Sequence, residues 1–280
     1  MTAPTAHTAP AAPADARRLL IGLDVDGTLI RLDETISEAV REQVLRVQRE
    51  GHEVTLATGR SWETARGILE HFALTPEFVV CSNGALVMQR DAAEPSGYRR
   101  EWVETFDPTE VLQTIRGHLP AGSYMVEDAT GFRRYTEGMT DWELSNAEQV
   151  DFDQLAGFPA SRVVVVAPQL DNDEFLELVR GMGLNEVSYS IGWTSWLDLA
   201  PMGVNKGTAL ARVREELGIP GPDVLVAGDG RNDLEMFEWA VAGGGRAVAM
   251  GQAPDELKAV ASEVTASVDD DGLARVLAAL

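Results

Sequence analysis

Near each end of the chain, short apolar runs bounded by turn residues alternate with segments of helical period, and this alternation constrains the fold more than any other feature. The first block reads LLIGLD, then a helical pattern from Thr35 in which Ile36, Val40, Val44 and Val47 recur, then EVTLAT, a helix from Ser61 through Phe72, and EFVVCSNG. TISE matches a capping box, with Thr35 first and Glu38 three residues on, and Gly51 stands where a C-terminal cap glycine belongs. The second block repeats the grammar in WLDLA, KGTALARVREELG closed by Gly218, DVLVAGDG, NDLEMFEWA and RAVAMG. Strand, helix, strand in succession predicts right-handed crossovers and one parallel sheet.

The expected fold class is therefore α/β, a Rossmann-like parallel-sheet core. Between the blocks lie the charged alternating stretch YRREWVET, a helix from Asp107, the segments SYMVED and GFRRYT, the strand RVVVVA and a helix in DNDEFLELVR. These suffice for a small α+β unit inserted into the core. The sequence predicts a core of residues 18–87 and 194–280 and an inserted domain of residues 88–193, joined through loops near Gln89 and Gly192, with Trp193 packing the hinge. Residues 1–17 are Ala-, Pro- and Thr-rich and cannot bury enough apolar surface to offset ordering, so they predict a disordered tail.

A formal net charge of −22 without a basic stripe argues against nucleic acid and acidic membrane surfaces as partners. No apolar run approaches a membrane span, and the N-terminus lacks a signal-peptide pattern, so a cytoplasmic location is expected. Cys81 is the single cysteine, which excludes an internal disulfide and reads as a small buried residue. Lysines occur at positions 206 and 258 alone; every other basic side chain is arginine, which makes Lys206, at the start of KGTAL, informative. His52, His71 and His118 fall near helix ends and read as surface residues.

The chemistry gathers at strand ends. Asp24 and Asp26 stand two apart after an apolar strand, so both are expected to approach one locus beyond its carboxyl end, where ligands of open α/β sheets bind. Gly27 allows a close turn, and Thr28 offers a hydroxyl and an N–H to an anion. A calcium loop uses similar letters, but no Glu stands at the calcium-loop spacing and an apolar strand precedes the motif. Thr58 and Gly59 end EVTLATG before a helix, suited to phosphate or to simple capping. Asp229 ends DVLVAGD, with Asn232 and Asp233 opening the next helix; alone, such a cluster is capping. Together, four carboxylates at the ends of strands in one sheet need a cation, because two charges about 4 Å apart repel by about 4 kcal/mol at an effective dielectric near 20. Oxygen ligands point to Mg²⁺, and Lys206 would neutralise both a nucleophilic carboxylate and an incoming phosphate.

DVDGTL, ATGR, the lysine of GVNKGTAL and GDGRND, in that order, resemble the four motifs of the haloacid dehalogenase superfamily of phosphohydrolases. SNGA before the insertion, and AVAMGQAPDELKAVASEVT followed by DDDGLA, are similar to its Cof-like subclass with an α/β cap. The resemblance implies that Asp24 is the nucleophile that forms an aspartyl-phosphate. It implies that Asp26 is the acid/base and a metal ligand through its backbone carbonyl. Asp229 would be a direct metal ligand and Asp233 would hold a metal-bound water. Thr58, Gly59, Lys206 and Asn232 would grip the phosphoryl oxygens. Glu127, Arg133 and Arg134 are candidates to read the leaving group, a solvated cap surface being the other explanation.

The expected activity is a Mg²⁺-dependent phosphatase acting on a small phosphorylated metabolite, a sugar phosphate or nucleotide-like compound. A phosphomutase of the same superfamily is the enzymatic alternative. A receiver-like signalling domain is the non-enzymatic one, disfavoured by the acidic pair on the first strand and by the large insertion. Substrate identity and oligomeric state are not legible.

Overall fold

A computed structural model describes residues 17–137, 146–184, 187–191 and 195–280. The chain opens with β1 (Leu20–Leu23), α1 (Glu38–Arg49), β2 (Glu53–Leu56), α2 (Trp62–Phe72), β3 (Phe78–Cys81), β4 (Leu86–Arg90) and β5 (Tyr98–Val103). It continues through α3 (Thr109–His118), β6 (Ser123–Asp128), β7 (Arg133–Tyr135), β8 (Ala147–Gln149), β9 (Ala160–Val166), α4 (Asn172–Gly181), β10 (Val187–Ile191) and β11 (Trp196–Pro201). It closes with α5 (Lys206–Glu216), β12 (Val224–Gly228), α6 (Leu234–Ala242), β13 (Arg246–Ala249), α7 (Asp255–Val260), β14 (Glu263–Val264) and α8 (Gly272–Ala278).

The expected parallel sheet is present, in the order β14, β13, β12, β1, β2. β1 lies between β12 and β2, in register Leu20 with Val224 and with Glu53, so both its edges are paired, and all four residues are buried. Ile21 and Leu23 pack with Val40, Val44, Val47 and Leu277 on one face; Leu20 packs with Leu210 and Phe237 on the other. β3 extends this sheet past β2 through a parallel bridge between Ala57 and Val80. A second sheet, in the order β10, β11, β9, β6, β7, β8, carries α3 and α4 against one face, where Leu112, Ile115, Phe175 and Val179 meet Tyr124, Val163 and Leu199.

Several local expectations hold and others do not. Gly51 and Gly218 follow α1 and α5 with φ of 95° and 64°, as cap glycines do. The capping box at Thr35 does not form: the Thr35 N–H and hydroxyl both donate to the Asp33 carboxylate, at 3.0 and 2.6 Å, and α1 starts after Ser37. His52 is not a free surface residue, since its Nδ1 accepts the Leu19 N–H at 3.2 Å.

Two strands join sheets other than those expected. YRREWVET, expected in the insertion, forms β5 and pairs antiparallel with β4, which pairs with β3. Its aromatic residues explain this: Trp102 stacks on Phe78 at 5.3 Å, and Tyr98 lies against Trp62 at 5.1 Å and donates to the Pro76 carbonyl. WLDLA, expected in the core sheet, forms β11 and pairs antiparallel with β9 and β10. Leu197 and Leu199 face the α3 and α4 layer, while Asp198, pointing the other way, meets Arg162 of β9. Gly192, Trp193 and the tail up to residue 16 lie outside the described residues; Arg17, at the tail's end, pairs with Asp223. Among the described residues no helix is long and apolar enough to cross a membrane.

Candidate active site

β1 and β12 are neighbours, and the Asp24 N–H donates to the Ala227 carbonyl at 3.0 Å, so Asp24 and Asp229 emerge side by side at the carboxyl ends of these strands. Both are buried, as is Asp233, and the three offer carboxylate oxygens within 4.8 Å of one another. Lys206, at the first turn of α5, has no exposed surface. Its Nζ donates to Asp24 Oδ1 at 2.6 Å and to Asp233 Oδ1 at 2.7 Å. The other Asp233 oxygen accepts the N–H groups of Asp229 and Gly230, at 3.0 and 2.9 Å, which fixes its orientation. Gly27 is required here: its φ is 75°, and a Cβ on it would lie 2.1 Å from Asp229 Oδ2.

Three carboxylates against one ammonium leave an excess of negative charge in a site of low dielectric. Burial pushes the Asp24 carboxyl well above its ordinary range; Lys206 opposes the rise and the neighbouring aspartates add to it. Burial, then Asp233, raise Asp229 to about 7, against a lowering hydrogen bond from Gln252. Burial works against the Lys206 charge, but Asp233 and Asp24 outweigh it and hold the ammonium above the ordinary lysine range. An all-oxygen donor set with surplus negative charge fits a hard divalent cation, which Asp24, Asp229 and Asp233 could hold.

The Asp26 carboxylate lies outside this group of three. The expectation of a shared locus assumed extended chain, but the chain turns at Val25, whose carbonyl accepts the N–H groups of Thr28, Leu29 and Ile30. The Asp26 carboxylate instead accepts two hydrogen bonds from Arg60, 3.0 Å from Nε and 2.6 Å from Nη2. Thr58 is buried, its N–H donating to Val80 and its Oγ1 accepting the Arg60 N–H at 3.0 Å. Gly59 adjoins the Asn83 amide: a Cβ there would lie 3.2 Å from Asn83 Oδ1. Asn232 donates to the same Oδ1 at 3.0 Å. A cavity of about 390 Å³ opens beside Asn232 and Asn205, with Arg180 and Tyr189 across from them.

The insertion candidates sit differently from either expectation. Glu127 and Arg133 are buried, not solvated: Arg133 Nε donates to Glu127 Oε2 at 2.9 Å, and Nη2 donates to Glu63 of α2. Glu127 Oε1 is buried without a hydrogen-bond partner. Arg134 lies over the Phe158 ring at 4.2 Å. Three residues at the site lie in motifs that carried the resemblance but were given no role from the sequence: Arg60 in ATGR, Asn83 in SNGA and Gln252 in AMGQAPDE. The Gln252 Nε2 donates to the Gly27 carbonyl at 2.6 Å and to Asp229 at 3.2 Å.

Residues 21–277 match the family model described as haloacid dehalogenase-like hydrolase. The 5-amino-6-(5-phospho-D-ribitylamino)uracil phosphatase YitU of Bacillus subtilis is 28% identical over 270 residues, covering 94% of this chain and 97% of that protein. The putative phosphatase YkrA of the same organism is 30% identical over 270 residues, covering 91% of this chain and 95% of its own length. Among solved structures, the subclass IIB sugar phosphatase BT4131 superposes with a TM-score of 0.76 at 18% identity, covering 93% of this chain and 98% of that one, a likeness of fold. The chain belongs to the haloacid dehalogenase-like hydrolases, in their Cof-like subclass.

Proposed function

We propose that the protein is a phosphatase that hydrolyses phosphate monoesters of small metabolites by passing the phosphoryl group through Asp24. The observation that carries this reading is the fully buried Lys206 ammonium shared between Asp24 and Asp233, with Asp229 beside them at the end of β12. One Asp24 oxygen attacks phosphorus, the bond to the ester oxygen breaks, and that oxygen takes a proton from Asp26. Water then attacks the aspartyl-phosphate, Asp26 takes its proton, and inorganic phosphate leaves with Asp24 restored. Lys206 opposes the burial and the neighbouring aspartates that disfavour the Asp24 anion, and it faces the negative charge of the arriving ester.

Arg60 occupies both oxygens of the Asp26 carboxylate, so the acid role asks Asp26 to exchange Arg60 for the ester oxygen. Thr58, Gly59 and Asn232 hold the phosphoryl oxygens. A divalent cation, Mg²⁺ by the oxygen donor set, would supply charge neutralisation when held by Asp24, Asp229, Asp233 and the Asp26 carbonyl. Residues from about 105 to 201 form the cap, whose six-stranded sheet covers the site, excludes water and selects the leaving group. The buried thiol of Cys81 suits a reducing compartment, and we assign the enzyme to the cytoplasm.

The relatives' names point to phosphorylated sugars and ribityl compounds as the class to try first. Phosphate release from a panel of such esters with Mg²⁺ present tests the reading. Release without any bisphosphate activator is expected; transfer to a second sugar with no free phosphate would assign a mutase instead.

A further inference from the structure

The turn Ser82–Gly84 between β3 and β4 has positive φ at all three residues, 48°, 51° and 101°. Left-handed backbone is unfavourable at a non-glycine position, and it persists where the surroundings fix it. Here the surroundings are the strand ends of the active site. The Ser82 N–H donates to the Arg60 carbonyl at 2.9 Å and the Asn83 N–H to the Thr58 carbonyl at 3.0 Å, so the turn clasps the phosphate loop. A Cβ on Gly84 would lie 2.3 Å from the carbonyl oxygen of Asn205, the residue that caps α5 just before Lys206.

The Asn83 side chain leads away from this clasp in two directions. Its Oδ1 accepts from Asn232 Nδ2 at 3.0 Å, and its Nδ2 donates to Asp198 Oδ2 at 3.1 Å. Asp198 is 6% exposed on β11 and is held by Arg162 through bonds of 2.9 and 2.6 Å. A carboxylate accepts only, so Asp198 compels the Asn83 amide to present its nitrogen to β11 and its oxygen to Asn232. The amide orientation is thereby set from the six-stranded sheet and delivered to the core.

We propose that Asn83 is a positioning residue that fixes Asn232 for its grip on the phosphoryl group and makes that grip conditional on β11 being seated over the core. The proposal rests on the role assigned to Asn232 above. When Asp198 withdraws, Asn83 loses an acceptor that sets its amide orientation, and Asn232 faces a less firmly fixed oxygen. Seating of the sheet and completion of the phosphate site are then one event, which suppresses turnover while the site is open to water.

The test uses the full chain carrying Asn83→Gly, which keeps the left-handed backbone and removes the amide, together with Asn232→Ala and the double variant. With p-nitrophenyl phosphate, Asn83→Gly is expected to lower kcat roughly ten- to hundredfold. The double variant is expected to be no slower than Asn232→Ala, because the two residues act as one unit. Hydrogen exchange of Asn83→Gly should quicken at residues 196–201 and 230–233, with the rest of the parallel sheet unchanged. A double variant whose loss is the product of the single losses, or unchanged exchange at both segments, overturns the proposal. Should the wild-type protein release phosphate from no ester, the reading under Proposed function fails; the exchange measurement still decides the coupling, since it needs no turnover.

Discussion

Lys206 and Asp24 stand 182 residues apart in the sequence and meet in a 2.6 Å hydrogen bond with the ammonium wholly removed from solvent. A buried charge is tolerated only when paired, and here Asp24 and Asp233 share the pairing. The consequences for stability, metal binding and turnover can each be measured.

Replacing Lys206 by Met keeps the side chain's length and removes its charge. Two buried carboxylates then lose their partner, and the expected cost is about 3–5 kcal/mol of stability, with turnover lost. Urea denaturation checks the first and phosphate release the second. A Lys206→Met protein as stable as the wild type would mean that the ammonium is not the counter-charge of the cluster.

The cluster also makes stability depend on pH. The folded pKa of Asp229 is raised from 3.8 to about 7, so the folded state binds a proton that the unfolded chain has released. That stabilisation is complete at low pH and is lost as pH rises through about 7. The metal-free protein should therefore lose this contribution between about pH 4 and pH 7, and Mg²⁺, competing with that proton, should raise the melting temperature more at about pH 8 than at about pH 5. Melting curves with and without Mg²⁺ at both pH values provide the check. An equal or larger shift in acid would contradict the cluster as the metal site.

The Asp26 carboxylate stands apart from the other three and is held by Arg60. Asp26→Asn should lower kcat on an alkyl phosphate by about 10²–10⁴-fold, and by less on p-nitrophenyl phosphate, whose leaving group departs without a proton. The Mg²⁺-induced rise in melting temperature should survive. Equal losses on both esters would remove Asp26 from the acid role.

Much of this site was legible in the sequence. Asp24 and Asp229 end strongly apolar strands, Lys206 and Asp233 open helices, and each sat where a parallel sheet presents ligands. What escaped depended on turns and on three-dimensional pairing. The chain bends at Val25, so the period of two that joined Asp26 to Asp24 stops one residue too early. Asn83 acts through a left-handed turn that no local pattern announces. Short alternating strands do not state which sheet they join: β5 is held by Trp102 and Tyr98 against the core, and β11 by Leu197 and Leu199 against α3 and α4. One clue was available in WLDLA, where Asp198 in mid-strand required a buried partner, supplied by Arg162.

The most direct test of the central claim is kcat for Asp24→Ala. Removing this carboxylate relieves repulsion with Asp229 and leaves Lys206 paired with Asp233, so the variant is expected to fold. The account predicts a loss of at least about 10³-fold on every ester the wild type hydrolyses, because no other group takes the phosphoryl. Hydrolysis retained above about one part in a thousand by the purified variant would contradict it.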